Sequence, residues 1–194
     1  MDVHKFIKYL IFPLIVFLTS CTGLSVATTG AQAVYNRHEW QQKINDHYIT
    51  IQAYRKIYDK NHRFDDTNIN IATLNNEVLL TGETPNEENK KIITSLIEKI
   101  PGVTEVHNHL SLAAPSSALT RASDSWITTK VKAKLIAMND IDAAQIKVVT
   151  ENGVVYLMGT IFPDQAEIAV DIAHNTQGVQ EVVKHFSYIR ITKT

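Results

Sequence analysis

The sequence predicts an α+β protein in which one small fold occurs twice in tandem, and three observations carry that prediction. Residues 69–106 and 146–182 share a skeleton: Ile69-x-Ile71, Val78-Leu79-Leu80-Thr81-Gly82 and Gly102-Val103-x-x-Val106 recur as Ile146-x-Val148, Val155-Tyr156-Leu157-Met158-Gly159 and Gly178-Val179-x-x-Val182. Matched positions lie about 77 residues apart, too long for a solenoid unit and long enough for a small domain. Within each copy, two short apolar runs flank Asn75-Asn76 or Asn152-Gly153, pairs that tolerate the positive φ of a tight hairpin. Between hairpin and closing segment, Ile92, Ile93, Leu96, Ile97 and Ile100 recur at helical spacing, with Pro101-Gly102 ending the run.

The elements follow in order. A helix is expected over residues 44–58, then a polar turn over 59–68. Strands at 68–73 and 77–81 precede a helix opened by Thr84-Pro85-Asn86-Glu87-Glu88, where Pro and early acidic residues suit a first turn. Residues 103–112 form the closing strand. The second copy begins with a helix over 124–138, capped by Asp124 or Ser123. It continues with strands at 145–150 and 154–159, a helix over 163–175 with the stripe Ala166, Ala169, Ile172 and Ala173, and a strand over 180–191. Each unit is then a three-stranded mixed sheet covered on one face by two helices. Gly82 and Gly159 read as strand terminators. The domain organisation is a targeting segment at 1–20, a tether at 21–43 with a short helical turn around 32–40, a first domain at 44–113, a linker at 114–121 and a second domain at 122–192.

Charge and composition narrow the function. With 19 Lys+Arg against 20 Asp+Glu, the surface lacks the strong positive balance that nucleic-acid binding requires. No nucleic-acid partner is expected. Attraction to an anionic partner has to come from a local patch.

The N-terminus reads as a targeting segment. His4, Lys5 and Lys8 form a basic region, and residues 9–18 are apolar apart from Pro13, too short for an ordinary spanning helix. The run ends in Leu18-Thr19-Ser20-Cys21, and Cys21 is the single cysteine of the chain. This resembles the bacterial lipobox, which implies cleavage after residue 20 and lipidation at Cys21; the alternative is an uncleaved anchor with a buried cysteine. Thr22, rather than aspartate, follows it, which in that lipoprotein class implies transport to the outer membrane. No cysteine is left for a disulfide.

The hairpin followed by glycine, the helix and the Gly-Val-x-x-Val segment resemble the BON domain of bacterial envelope proteins. Two copies behind a lipobox are similar to the dual-BON outer-membrane lipoproteins, the division- and outer-membrane-stress-associated lipid-binding family. Ser125-Trp126-Ile127-Thr128-Thr129-Lys130-Val131, Thr150-Glu151-Asn152-Gly153 and Leu157-Met158-Gly159 carry that similarity most specifically. The resemblance covers residues 45–191. It implies a periplasm-facing lipoprotein without catalysis or cofactor, whose second domain binds anionic phospholipid in support of envelope integrity.

On a helical wheel of residues 124–138, Ile127, Val131, Leu135 and Met138 fall within an arc of about 80°. Trp126, Ala133 and Ala137 lie on another arc, Lys130 and Lys134 fall between the two, and Ile136 sits on the far flank. An indole at headgroup depth beside ammonium groups suits an anionic membrane. The candidate lipid-contact set is Trp126, Lys130, Val131, Ala133, Lys134, Ile136 and Ala137. Packing of Trp126 against the linker or the first domain is the bland alternative. In the first copy, Ile49, Ala53 and Ile57 share one helix face while Tyr48, Ile51 and Tyr58 share another, without lysines at the same spacing. That second face reads as a surface for docking on the other copy or the tether. The competing function is a protein–protein scaffold for outer-membrane assembly, division-site or peptidoglycan-remodelling proteins. Its marks would be an apolar patch over residues 48–58 or a free strand edge.

Catalytic signatures are lacking: there is no Gly-x-Ser-x-Gly elbow, phosphate-cradling glycine loop or His-Glu-x-x-His element. His107 and His109 share a strand face and His185 occupies the place matching His109. They would form a metal site only if the two closing strands met; the expectation is solvated strand positions and no metal.

Overall fold

The computed structural model describes residues 30–58 and 63–190. The signal segment and Cys21 lie outside the described residues. The first copy contains α1 (Gly30–Ile57), β1 (Asn68–Leu74), β2 (Glu77–Thr84), α2 (Glu87–Glu98), β3 (Glu105–Asn108) and β4 (Ser111–Leu112). The second contains α3 (Ala118–Ile136), a 3-10 turn (Ala143–Gln145), β5 (Ile146–Glu151), β6 (Val154–Ile161), α4 (Pro163–His174) and β7 (Glu181–Tyr188).

In each copy the hairpin strands are antiparallel, and the strand after the second helix lies parallel to the hairpin's second strand. The sheets are thus mixed, as expected, because a helical crossover lets the last strand return in the same direction. Asn75 and Asn76 take φ of 52° and 69°, and Asn152 and Gly153 take 50° and 78°, the paired positive values of a two-residue hairpin turn.

Several boundaries differ from the sequence reading. Helix α1 starts at Gly30, so the segment read as a tether is helical from there. Helix α3 starts at Ala118, about two turns before residue 124, because the Ser117 side chain accepts a hydrogen bond from the Thr120 amide and caps it there. It ends at Ile136, leaving Met138, read as a core residue, 38% exposed. The first closing strand is broken in two. Leu110 is buried and its amide donates to the Asn108 side chain, which interrupts the ladder between β3 and β4.

Gly82 and Gly159 lie inside strands rather than ending them. A Cβ on Gly82 would sit 1.9 Å from the Asn68 carbonyl oxygen, and one on Gly159 2.5 Å from that of Gln145. Close approach of the neighbouring strand therefore demands glycine at both.

Asp124, read as a helix cap, is mid-helix, 5% exposed, and accepts the amides of Asn152 and Gly153 at 2.9 Å each. Asp46 does the same for Asn75 and Asn76 at 3.0 and 2.8 Å. One turn further along, Thr50 bonds Thr73 at 2.8 Å and Thr128 bonds Thr150 at 2.7 Å. Each first helix is thus fastened to its hairpin by the same carboxylate and hydroxyl.

The cores form three layers. Ile49, Ala53 and Ile57 of α1 pack with Ile93 and Ile97 of α2 on one face of the first sheet. Ile127, Val131 and Leu135 of α3 pack with Ala166, Ala169 and Ala173 of α4 on the second. Between them, Ala72 and Leu79 meet Val149, Tyr156 and Met158. The two sheets pack face to face within the compact unit formed by residues 39–194. Both faces of β2 and β6 are therefore buried, which explains their unbroken apolar runs.

Candidate functional site

Helix α3 buries one stripe and exposes the opposite one. Val131 is fully buried and Leu135 and Ile127 nearly so, fixing the orientation of the remaining positions. Trp126 is 63% and Ile136 73% exposed, and Ala133, Lys134 and Ala137 are exposed as well. Packing beneath the linker or the first domain is thus not the fate of Trp126. Val131 does not belong with the exposed set: its side chain lies in the second domain's core, and the lipid-contact expectation is corrected there. The wheel had already placed it on the core arc.

The sequence reading missed Leu119, which is 82% exposed. Seven residues before Trp126, it falls within about 20° of it on the wheel. A helix beginning at residue 124 excludes it; Ser117, three residues before Thr120, is the local cap signal. With it, the exposed apolar stripe runs from Leu119 through Ala122, Trp126, Ala133 and Ala137 to Ile136 on its flank, about 25 Å at 1.5 Å per residue.

The two lysines are partly engaged. Lys130 is half-buried, and its ammonium donates to the Gln177 carbonyl. Lys134 donates to the Asn175 carbonyl at 3.1 Å. Both carbonyls lie just beyond the end of α4, where a cation is favoured. An ammonium has three protons, so each keeps donors for another acceptor. Lys132 is exposed on the other flank of the stripe.

The first helix presents a different surface. Trp40, Ile44 and Tyr48 are 69, 62 and 50% exposed. Tyr54 and Tyr58 stack at 6.2 Å, and their phenol oxygens accept the amides of Ile71 and Ile69 at 3.2 Å. β1 is an edge strand, so the tyrosines occupy edge amides that would otherwise be open to another strand. Of the two marks expected for a scaffold, the apolar patch is present, and this stretch of edge is already covered.

The interface between the sheets holds titratable groups. Glu83 is 2% exposed; burial acts to raise its pKa, but hydrogen bonds from Asn68, Asn152 and Ser116 outweigh that and hold it below the ordinary value. Glu151, 8% exposed, is pushed up to about 7 by burial and then by the charges of Glu83 and Asp124. It accepts only a long hydrogen bond from Thr81, at 3.4 Å. Lys147 remains exposed, yet partial desolvation lowers its pKa, with Lys132 adding to the effect.

The histidines are not solvated strand positions. β3 and β7 each lie at one edge of their sheets, and the sheet packing brings their ends together. Nε2 of His109 and Nε2 of His185 are 2.9 Å apart, and His107 stacks on His185 at 4.0 Å. All three are half-buried.

Comparison with known proteins agrees with this architecture. The BON domain matches residues 46–114 and 123–190. Outer membrane lipoprotein DolP of Haemophilus influenzae is 30% identical over 90% of this chain and 91% of its own. The 21 kDa hemolysin of Actinobacillus pleuropneumoniae is 36% identical over 65% of each chain. Osmotically-inducible protein Y of Escherichia coli is 29% identical over 72% of this chain and 70% of its own. The chain belongs to the BON-domain family. Within that family it is of the two-domain outer-membrane lipoprotein kind. Among the described residues, no helix is long and apolar enough to cross a membrane.

Proposed function

We propose that the protein, anchored through lipidated Cys21 on the periplasmic side of the outer membrane, binds anionic phospholipid through α3 and thereby supports envelope integrity. Its role is recognition rather than catalysis. The observation that carries the reading is the exposed stripe of α3, with Trp126 between Leu119 and Ile136 and lysines on both flanks. A soluble domain gains nothing by leaving a tryptophan, a leucine and an isoleucine in water along one helix. At a bilayer they enter the headgroup boundary while Lys132 and Lys134 meet phosphates.

Magnitudes assign the parts. A lysine near an anionic surface contributes about 1 kcal/mol, so α3 alone binds weakly. Acyl chains at Cys21, at about 0.8 kcal/mol per buried methylene, supply durable attachment. The helix then adds lipid preference, acting at the high effective concentration that tethering creates.

The test is co-sedimentation of residues 22–194 with vesicles, neutral or containing anionic phospholipid. Binding is expected to the anionic vesicles and to weaken about tenfold or more in Trp126→Glu. Equal binding to both vesicle types, or an unchanged Trp126→Glu variant, would sink the reading. A second reading is favoured by Trp40, Ile44 and Tyr48 on α1: a docking surface for outer-membrane assembly, division-site or peptidoglycan-remodelling proteins. It predicts cross-linking at Tyr48 that Trp126→Glu leaves intact.

A further inference from the structure

Where the two sheets meet, five side chains with metal-ligating atoms converge at one end of the interface. His109, just after β3, and His185, on β7, point their Nε2 atoms at each other across 2.9 Å. His107 lies face to face with His185 at 4.0 Å. Its ring nitrogens meet Glu77 at 3.1 Å and Glu105 at 3.5 Å. Glu77, Glu105 and His107 each bring one donor atom within 4.8 Å of the others. Glu77 also accepts from Ser187 of the second domain at 3.4 Å, and His109 leans on Tyr156.

We propose that this cluster is a binding site for a divalent first-row transition metal, with His109 and His185 as the ligands that join one BON domain to the other. Three features point there. Two metal–nitrogen bonds of about 2.0–2.1 Å at a tetrahedral angle hold the nitrogens about 3.3 Å apart, so the pair needs to open by only about 0.4 Å. In the metal-free pair one Nε2–H donates to the other ring. Moving that proton to Nδ1 of the same ring frees both lone pairs with no net loss of a proton. Beyond them His107, held between Glu77 and Glu105, stacks on the His185 ring and fixes its plane. Imidazole selects zinc, cobalt, nickel or copper over magnesium and calcium. Because the ligands come from different domains, the ion acts as a clasp on the sheet-to-sheet interface.

The test is titration of the full-length protein in detergent with Zn2+ and, as a spectroscopic probe, Co2+. Saturable one-to-one binding is expected, with ligand-field bands for Co2+ and an unfolding midpoint raised by roughly 5–10 °C at a hundredfold excess over Kd. Mg2+ should produce no shift. His109→Gln and His185→Gln should each weaken binding by more than about 100-fold, and Glu77→Gln by about 10-fold or more. His174→Gln, on the exposed surface of α4, should leave binding unchanged. Absence of saturable Zn2+ binding, or Co2+ bands that persist unchanged in either folded histidine variant, would overturn the proposal. Should a histidine variant unfold, Glu77→Gln and His174→Gln decide: equal affinity in both overturns it.

Discussion

The first helices of the two domains share a machine and differ in surface. Asp46 and Thr50 of α1 correspond to Asp124 and Thr128 of α3, and each pair fastens its helix to the hairpin beneath. Their buried stripes also correspond: Ile49, Ala53 and Ile57 against Ile127, Val131 and Leu135. Aligned this way, Trp126 stands where α1 has Tyr48, Lys130 where it has Gln52, and Lys132 where it has Tyr54. In α1, Tyr54 turns inward to hold the β1 edge. In α3 a cation occupies that place. The lesson is that duplication preserved the residues that fix the helix on its sheet, and the face turned to water was free to diverge.

The largest expected effects probe what is shared. Asp46→Ala and Asp124→Ala each leave two hairpin amides unpaired, at about 1–3 kcal/mol per group. Each should lower stability in urea unfolding by about 2–5 kcal/mol. Similar losses support a common clamp, and a loss in only one variant breaks the equivalence. Next comes the divergent face. Trp126→Glu should weaken binding to anionic vesicles about tenfold or more, roughly 1.4 kcal/mol, while Tyr48→Glu should leave it within twofold.

A pH experiment tests the interface between the domains. Glu151 has a folded pKa of about 7 against an ordinary 4.5. Between those values the native state holds a proton that the unfolded chain has released. Its contribution to stability is therefore complete below pH 4.5 and is lost as pH rises to 7 and beyond. Relative to Glu151→Gln, the wild type should lose stability across that window in urea titrations at several pH values. Parallel pH profiles would show that Glu151 ionises freely. The smallest expected effect is that of Tyr54→Phe, about 0.5–1.5 kcal/mol for one hydrogen bond. It should speed hydrogen exchange at Ile71 more than at Val148 on β5.

Much of this fold was legible because its signals are local. Positive-φ pairs at Asn75-Asn76 and Asn152-Gly153 mark hairpins whatever packs around them. The stripe of Ile127, Val131 and Leu135 placed α3, and the same wheel set Trp126 apart. Leu119 escaped because the Ala-Pro-Ser-Ser stretch reads as linker; a cap at Ser117 and helical propensity after it decided otherwise. The periodicity of Val131 places it inside, against the lipid contact expected of it, and it is fully buried.

The sequence by itself determined the duplicated architecture, the hairpins, the core stripes and the odd tryptophan, because each depends on neighbours within a few residues or on a repeat that can be aligned. Tertiary structure alone decided that Asp124 clamps a turn 28 residues away, that two sheets share a third core, and that His109 meets His185. Those depend on how one sheet lies against the other. A face of small and apolar side chains says that it will be covered but not by what, since burial is favourable in proportion to area and indifferent to direction.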